Sequence, residues 1–400
     1  MKAWVLHDIG DIRYEEKDLP APGPGEVLVK VMAAGVCGSD IPRIYTTGAH
    51  KMPLIPGHEF SGQVVGISEQ IDSSDKAESG GESSGKDETW IGRRVGVFPL
   101  IPCRKCGPCN KGLYEMCRSY DYVGSRRDGA FAEYVSAPVD NLIELPDEVS
   151  YEEAAMLEPM AVAVHAMRRG LTKWAACRGD IHIGDDAVGV SDIGSVWADE
   201  QQGTLSKGEQ PVIAVCGLGT IGLLLTMFLI DAGMEDVYVI GNKDFQKKKA
   251  LELGIREDHY IDGRSDDGQI GSLKGKIDVY FECVGKNECV SLGIDMAAPA
   301  GTVVMVGNPA SDMRIDRDIY WKILRNQLRV TGTWNSSFDL TGSHDVESMD
   351  DWTYVIERLR SGGIRPKELI SHELDMEELE RGLLIMRDKV EDYCKVMIRP

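Results

Sequence analysis

The sequence predicts an α/β protein in which a doubly wound parallel sheet follows a β-rich domain of less regular pattern. From residue 212 onward, short apolar runs alternate with helical segments, which is the pattern of strand–helix–strand units with parallel strands. Before residue 150, runs rich in β-branched residues are instead separated by glycine and proline turns. The 400 residues are too many for one ordinary domain and suffice for two, each with its own core.

The first part of the chain carries clear strand signals. Residues 27–31 read Val-Leu-Val-Lys-Val after a Pro-Gly-Pro-Gly turn. Residues 72–88 are almost entirely Ser, Gly, Asp, Glu and Lys, so we expect a surface loop with little to bury. Ser150 with Glu153 three positions on is a helix-start signal, which predicts a helix over 151–170. Further strands are predicted at 61–67, 94–98 and 130–136.

The second part begins after an interruption. Residues 172–207 are acidic and glycine-rich with no stable period, so we expect an inserted segment there. A doubly wound pattern then starts with an apolar strand at 212–216. From about residue 329 the pattern returns to mixed structure and ends in a strand near 395–399, which we expect to complete the first domain. Other strands are predicted at 237–240, 277–282 and 302–307, and helices at 220–232 and 244–253.

Composition excludes several classes of partner. The formal net charge of -21 repels nucleic acid and anionic membranes, so neither is an expected partner. No apolar run reaches the ~18 residues of a membrane helix, and the N-terminus lacks a signal-peptide pattern. We therefore expect a cytoplasmic protein, whose ten cysteines act as metal ligands and buried thiols rather than as disulfides.

A glycine-rich loop predicts a dinucleotide site. The pattern G-x-G-x-x-G follows an apolar strand and opens an apolar helix, which is the context that distinguishes it from a plain glycine turn. Its glycines allow the pyrophosphate to approach the free N–H groups of the helix N-terminus. The residues concerned are Gly217, Gly219, Thr220, Ile221 and Gly222.

The end of the next strand bears on the choice of cofactor. NAD-binding proteins carry an acid there for the ribose hydroxyl, whereas this chain has Asn242 and Lys243. The missing acid and Lys243, with Lys247 and Lys248 nearby, favour NADP over NAD; alternatively, these lysines form a solvated helix face and NAD binds. Cys283, Gly285 and Gly307 stand at the ends of later strands, where ligands bind in open α/β sheets, and we expect them to line the nicotinamide.

Four cysteines in one short segment predict a structural metal site. Cys103, Cys106, Cys109 and Cys117 supply four thiolates at a density that suits a tetrahedral zinc closed to substrate. An iron–sulfur cluster is the rival interpretation. The wider gap before Cys117 and the lack of a following proline count against that cluster.

A second metal signal is spread along the chain. Its motifs are C-G-S-D, G-H-E and E-P. Cysteine, histidine and glutamate together offer the donors of a catalytic zinc with an open position. Each residue alone would be an ordinary core or surface residue, so the weight rests on their combination. The candidates are Cys37, Ser39, Asp40, His58, Glu59 and Glu158.

These elements, in this order, resemble the zinc-containing medium-chain alcohol and polyol dehydrogenases over nearly the whole chain. Residues 120–134 are similar to the branch of that family that oxidises polyol phosphates. The resemblance implies a GroES-like catalytic domain at 1–165 and 328–400. It also implies a Rossmann nicotinamide-cofactor domain at 166–327, which contains the insertion at about 172–207.

The resemblance also implies residue roles. Cys37, His58 and a glutamate would hold the catalytic zinc, and both Glu59 and Glu158 match positions that contact the metal or its water. Ser39 would pass the substrate proton outward, and Asp40 would accept a hydrogen bond from His58. With the four-cysteine site this makes two zinc ions per chain. The run at 241–243 resembles that of NADP-using members, and a homo-oligomer, dimer or tetramer, would form through Rossmann edge strands.

The expected reaction is oxidation of a secondary hydroxyl of a sugar alcohol to a ketone, with hydride transfer to NAD(P). A polyol phosphate such as galactitol 1-phosphate is the leading substrate, and Arg43, Arg126 and Arg127 are the candidates for its phosphate. Alternatively, Arg126 and Arg127 pair with Asp121 or Asp128 and order their loop.

Two other functions compete with a polyol-phosphate dehydrogenase. One is a dehydrogenase for a free polyol, diol or amino alcohol, such as sorbitol, butanediol or threonine. The other is a catalytically silent, zinc-stabilised binding protein. The intact Cys37, Ser39, His58 and Glu59 argue against the silent protein.

Overall fold

The computed structural model describes residues 1–68, 90–176, 210–265, 268–309, 311–340 and 349–400. The loop predicted at 72–88 and nearly all of the insertion predicted at 172–207 lie outside the described residues. The chain divides into two compact units. The first is Met1–Glu158, Phe338–Gly342 and Arg365–Pro400, and the second is Pro159–Ser337 and Ser343–Ile364.

Strands and helices of the described residues are numbered here in chain order. The strands are β1 Lys2–Asp8, β2 Asp11–Glu16, β3 Glu26–Val36, β4 Glu59–Ile67, β5 Arg94–Val97, β6 Leu100–Ile101, β7 Asp121–Tyr122, β8 Tyr134–Pro138, β9 Leu142–Glu144, β10 Ile213–Cys216, β11 Val237–Gly241, β12 Tyr260–Asp262, β13 Ile277–Glu282, β14 Ala297–Met305, β15 Arg329–Gly332, β16 Ile370–Asp375 and β17 Lys395–Arg399. The helices are α1 Asp40–Tyr45, α2 Tyr151–Ala154, α3 Leu157–Ala176, α4 Thr220–Asp231, α5 Asp244–Glu252, α6 Gln269–Leu273, α7 Asn287–Met296, α8 Arg317–Arg325, α9 Asp351–Arg360 and α10 Leu379–Asp388.

The first unit is built on one mixed sheet. Its strands run in the order β16-β17-β3-β4-β5-β9, and β8 also pairs with β3. The long strand β3 therefore has antiparallel ladders with β4, β8 and β17. Aliphatic side chains of these strands form one buried cluster, in which Val29, Val64 and Val396 are fully enclosed. This packing fixes the positions of the strand ends that carry the candidate metal ligands.

The second unit has the predicted doubly wound sheet. Six strands lie in the order β12-β11-β10-β13-β14-β15, and every neighbouring pair is parallel. This is the strand order 3-2-1-4-5-6 of dinucleotide-binding folds, in which the order reverses beside the first strand. The carboxyl ends of β10 and β13 therefore meet at the point where such folds bind their ligand.

The compact units differ from the predicted domain limits at the C-terminal side. The chain from residue 328 onward was predicted to belong to the first domain, but β15 is the sixth strand of the second unit's sheet because its backbone pairs with β14. Helix α9 also belongs to the second unit. There the buried Asp351 accepts a hydrogen bond of 2.9 Å from Arg168 Nη1, with His165 Nδ1 at 2.9 Å.

Two local predictions also differ from the observed elements. The helix expected over 151–170 is two helices, α2 and α3, and the capping box of Ser150 and Glu153 starts the first of them. The strand expected at 130–136 is found at Tyr134–Pro138. No helix of the described chain combines the length and apolar character needed to cross a lipid bilayer.

Candidate active site

A tight turn after β3 positions the first metal-ligand candidate. Cys37 leaves the strand, and Asp40 opens α1 three residues later. The Cys37 N–H donates to Asp40 Oδ2 over 3.0 Å, and the Asp40 N–H donates to the Cys37 carbonyl over 3.0 Å. Ser39 Oγ donates to Cys37 Sγ over 3.3 Å. The thiol, the hydroxyl and the carboxylate are thus held within one turn.

The sheet brings the second motif beside this turn. His58 and Glu59 stand at the start of β4, and Glu59 lies opposite Gly35 in the ladder with β3. Gly57 has a φ of +96°, and a Cβ there would lie 2.7 Å from the ring of Phe131, so this position requires glycine. One donor atom each of Cys37, His58 and Glu59 lies within 4.8 Å of the others. Sulfur, imidazole and carboxylate at this spacing fit a zinc ion.

Buried charges set the electrostatics of the site. Burial would lower the pKa of His58, but the negative charges of Asp40 and Cys37 outweigh it and raise the pKa to about 10. Burial likewise opposes ionisation of Cys37, yet the His58 imidazolium lowers the pKa of the thiol. His58 Nδ1 lies 3.4 Å from Asp40 Oδ1, in ion-pair range but without a hydrogen-bond alignment. A bound cation would compensate the same negative charges, so the donor set suits a metal.

Glu158 lies beside the candidate metal ligands but is not among the three residues whose donor atoms lie within 4.8 Å of one another. Tyr122 donates its hydroxyl hydrogen to Glu158 Oε1 over 3.3 Å, and the Tyr122 ring lies edge-on to His58 with 5.8 Å between centroids. Burial raises the pKa of Glu158, against the opposing charge of His58. Of the two predicted glutamates, the structure therefore groups Glu59 with Cys37 and His58, and keeps Glu158 within reach of their charges.

Lys395 is a further residue of the site, which the sequence did not predict. This lysine is only 2% exposed, contacts Glu59 Oε2 and donates to the Val36 carbonyl over 3.1 Å. Burial lowers the pKa of Lys395 to about 8. A Cβ on Gly35 would lie 2.5 Å from Glu59 Oε2 and 2.7 Å from Lys395 Cε, so this glycine makes room for the pair. The only sequence signal was a charged residue directly before the apolar run Val396–Ile398.

The four cysteines of the first unit come together as predicted. The Cys106 sulfur lies 3.4 Å from that of Cys109 and 3.9 Å from that of Cys117, and the four donor sulfurs lie within 4.8 Å of one another. A tetrahedral zinc with bonds of about 2.3 Å places its sulfurs about 3.8 Å apart. The Cys103 N–H donates to Cys117 Sγ over 3.2 Å, which holds the first and last sulfurs of the segment together. The geometry fits a structural zinc.

In the second unit, the glycine-rich loop has the shape that a pyrophosphate needs. Gly217 has a φ of +97°, and a Cβ on Gly222 would lie 1.9 Å from the Gly217 carbonyl oxygen. Gly219 precedes the first residue of α4, and no side chain caps that helix. The N-terminal amides of a 12-residue helix thus adjoin the loop, which is a favourable place for an anion.

Glu282 is the last residue of β13 and organises the neighbouring loop. Its carboxylate is buried and accepts hydrogen bonds from the N–H groups of Val284 and Gly285 over 2.8 and 2.9 Å. A Cβ on Gly307 would lie 2.2 Å from the Gly285 nitrogen, so these backbones touch. Cys283, Gly285 and Gly307 therefore lie at the carboxyl ends of β13 and β14, on the ligand-binding edge of the sheet.

The end of β11 carries no carboxylate at the predicted position. The N–H of Asn242 bonds to Gln246 Oε1 over 3.0 Å, and the Tyr260 hydroxyl donates to the Lys243 carbonyl over 3.4 Å. Arg264 forms ion pairs with Asp244 and Asp262 at 2.7 and 2.6 Å. The nearest acids are thus engaged by an arginine.

The structure separates the three candidate substrate arginines. Arg127 pairs with Glu26 over 2.7 Å, and not with the aspartates that the sequence suggested. This pair connects Arg127 with β3 and compensates its charge, so Arg127 is not proposed as a substrate ligand. Arg126 lies over the ring of Tyr120 at 4.5 Å, and its buried Nε has no hydrogen-bond partner among the described residues. Arg43 Nη1 lies 2.5 Å from Asp40 Oδ1.

Two family models match the chain. The alcohol dehydrogenase GroES-like domain matches residues 23–147, and the zinc-binding dehydrogenase model matches residues 220–353. The chain therefore belongs to the zinc-dependent medium-chain alcohol dehydrogenases, which are NAD(P)-dependent oxidoreductases. The predicted family and the predicted pairing of a GroES-like with a Rossmann domain are both confirmed.

Two similar proteins have names that refer to polyol substrates. The chain is 30% identical to galactitol 1-phosphate 5-dehydrogenase of Escherichia coli K12 over 84% of its own length and 83% of the relative. It is 25% identical to sorbitol dehydrogenase of Bacillus subtilis over 100% and 97% of the two chains. The solved galactitol-1-phosphate dehydrogenase of Escherichia coli has a TM-score of 0.78 at 27% identity, with both chains fully covered. A zinc-binding dehydrogenase of Sinorhizobium meliloti bound to NADP has a TM-score of 0.76 at 25% identity, covering 100% and 99%.

Proposed function

We propose that this enzyme oxidises a secondary hydroxyl of a polyol phosphate, such as galactitol 1-phosphate, to a ketone. The observation that carries the proposal is the group formed by Cys37, His58 and Glu59, with donor atoms within 4.8 Å and the hydroxyl of Ser39 only 3.3 Å from the thiol. Cys37 and His58 would bind the catalytic zinc. Of Glu59 and Glu158, one would bind the ion and the other its water. The four-cysteine site would hold a second zinc.

Each bound group would supply one piece of chemistry. Cys37 and His58 would hold a zinc ion whose charge would favour loss of the proton from the substrate hydroxyl. The glycine-rich loop of the second unit would hold the nicotinamide cofactor, which would accept the hydride. Ser39 Oγ takes the proton of the substrate hydroxyl and passes it outward. Asp40 stays ionised because His58 and Arg43 hold its pKa low against the opposing effect of burial, and this keeps the imidazole oriented.

A dehydrogenase for free polyols or amino alcohols is the second candidate, because the similarity to sorbitol dehydrogenase covers the whole chain. Reduction of NAD and NADP would be measured with galactitol 1-phosphate, galactitol, sorbitol, butanediol and threonine. Turnover of the phosphate ester alone supports the proposal, and turnover of the free alcohols alone contradicts it. A silent binding protein would reduce neither cofactor, and metal analysis would find one zinc per chain instead of two.

We propose NADP as the cofactor, and Asn242→Asp is expected to change this preference. A carboxylate at the end of β11 would bond the ribose hydroxyl of NAD and repel the 2′-phosphate of NADP. One charge-assisted contact corresponds to an expected change of about 10- to 100-fold in the ratio of kcat/KM for NADP over NAD. Steady-state kinetics with both cofactors measure this ratio.

The control for the cofactor variant is Lys274→Ala, just after α6, where the side chain is 54% exposed and pairs with Asp295 over 2.8 Å. It should leave the ratio within twofold. A wild-type enzyme that already prefers NAD would disprove the assignment of NADP.

We further propose that two copies associate through the edge of the six-stranded sheet. In the part of the chain that the structure describes, β15 has a ladder with β14 only. Large apolar side chains are exposed along the consecutive elements α8 and β15, including Tyr320, Trp321 and Val330. An open edge strand flanked by apolar surface favours pairing with an identical strand.

Trp321→Glu is therefore expected to convert a dimer or tetramer into a smaller species in sedimentation velocity. Val390→Glu removes an apolar side chain with 69% exposure in the first unit and should leave the assembly unchanged. A wild-type protein that sediments as a monomer at micromolar concentration would refute the interface.

We also propose the cytoplasmic location that the sequence predicts. Cell fractionation tests this location.

A further inference from the structure

We infer that Arg43, His50 and Arg126 form the anion-binding end of the substrate site, and that they receive the terminal phosphate of the polyol. This inference rests on the proposed function and adds to it the groups that select the substrate. All three residues lie in the first unit, which also holds the candidate zinc ligands. His50 had no assigned role in the sequence.

A series of ring contacts, edge-on between the rings, connects Arg126 with the metal-ligand group. Its guanidinium lies 4.5 Å from the ring centre of Tyr120, whose ring lies 6.1 Å from that of Tyr122. Tyr122 in turn lies 5.8 Å from the ring of His58. These contacts keep the arginine a few side chains away from the reacting hydroxyl. A polyol phosphate can then place its reacting hydroxyl at the metal ligands and its phosphate at Arg126 at the same time.

Arg126 also has unused hydrogen-bonding capacity. Its Nε is buried and has no partner in the described chain, although a buried donor left unpaired costs free energy. A phosphate oxygen would satisfy this donor, since guanidinium forks match the oxygens of phosphate. The adjacent Arg127 has no such vacancy, because it is paired with Glu26.

Arg43 approaches the same ligand from α1. Its Nη1 is engaged by Asp40 Oδ1 at 2.5 Å, and the same oxygen lies 3.4 Å from His58 Nδ1. One nitrogen of this guanidinium is therefore occupied by Asp40, which lies beside the candidate ligand His58. A guanidinium has five N–H donors, so the remaining ones can still bind an anion. Arg43 would thus link the bound phosphate to the orientation of His58.

His50 lies within the field of both arginines. After burial, the charges of Arg126 and Arg43 are the next causes that lower the pKa of His50. The charges of the two arginines thus act on the same group in a protein whose net charge is -21. An anion of charge near two would relieve the repulsion between them, which a neutral polyol could not do. Because two arginine forks suit phosphate, we favour a phosphate over a carboxylate.

The test compares substrates that differ only in charge. The zinc-loaded wild-type enzyme would be assayed with galactitol 1-phosphate, with galactitol, and with an aldonate that carries a carboxylate instead. Galactitol 1-phosphate should have the highest kcat/KM. Arg126→Met should lower the ratio of kcat/KM for galactitol 1-phosphate over galactitol by about 10- to 100-fold, mainly through KM, because one charge-assisted contact is lost. Arg126→Lys should restore part of it, and the control Arg127→Met should leave it unchanged.

Binding is measured separately from turnover. Isothermal calorimetry with inorganic phosphate should show saturable binding to the wild-type enzyme and to Arg127→Met, and a loss of at least tenfold in affinity in Arg126→Met. His50→Ala should weaken the same binding by a smaller factor. Equal phosphate affinity in the wild type and Arg126→Met would overturn the inference.

The outcomes separate this inference from the proposed function. A wild type that oxidises galactitol as efficiently as its phosphate keeps the dehydrogenase and overturns the anion site. A higher kcat/KM for the aldonate than for the phosphate also overturns it, in favour of a carboxylate. An enzyme that turns over none of the alcohols contradicts the proposed function itself, and the inference fails with it.

Discussion

Replacing His58 with alanine is expected to lower kcat/KM for polyol oxidation by about 1,000-fold or more and to reduce bound zinc from two ions per chain to one. His58 is one of three grouped donors, and a zinc ion contributes several kcal/mol of charge stabilisation to the transition state. Each 1.36 kcal/mol corresponds to a factor of ten in rate. Kinetics and elemental analysis on the same sample measure both effects.

The matched control is His7→Ala. This histidine pairs with Glu15 at the surface of the first unit and touches none of the candidate ligands. It should keep both zinc ions and full activity. A His58→Ala enzyme that retains two zinc ions and oxidises polyols at the wild-type rate would eliminate the metal site as the centre of the chemistry.

Replacing Lys395 with methionine is expected to destabilise the metal-free protein by about 3–5 kcal/mol. The lysine and Glu59 are both 2% exposed, and removal of one partner leaves a buried charge without compensation. Unfolding by urea, followed with chelator present, measures the free energy. The decrease should be smaller with zinc present, because the cation compensates the same carboxylate.

A double variant separates the ion pair from simple packing. Glu59→Gln combined with Lys395→Met removes both charges, so it should be more stable than Lys395→Met alone. If the double variant loses the sum of the two single effects, the pair does not couple, and the lysine contributes only by filling space.

The features that could be predicted from the sequence are local. The four cysteines lie within 15 residues of each other, and the strand, glycine loop and helix of the cofactor site are consecutive, so short-range patterns contain them. The doubly wound sheet was likewise visible as an alternation of apolar strands and helices. Such elements depend mainly on neighbours in the chain.

The features that were missed depend on distant pairing. Lys395 meets Glu59 across 336 positions, because β17 and β4 both pair with β3. Arg127 pairs with Glu26, which is distant in the sequence, so no local pattern predicts this ion pair. The placement of β15 in the second unit depends on its pairing with β14, which the sequence does not reveal. In each case the tertiary structure chooses among partners that the sequence leaves equivalent.

The position of Lys395 along the chain has a consequence for biosynthesis. During translation, Cys37, His58 and Glu59 leave the ribosome more than 300 residues before the lysine that compensates them. A nascent chain that folds its early strands therefore exposes a ligand cluster with unbalanced negative charge. Metal capture and pairing of β17 with β3 both relieve that imbalance, so a chain that has bound its metal early should depend less on the arrival of Lys395.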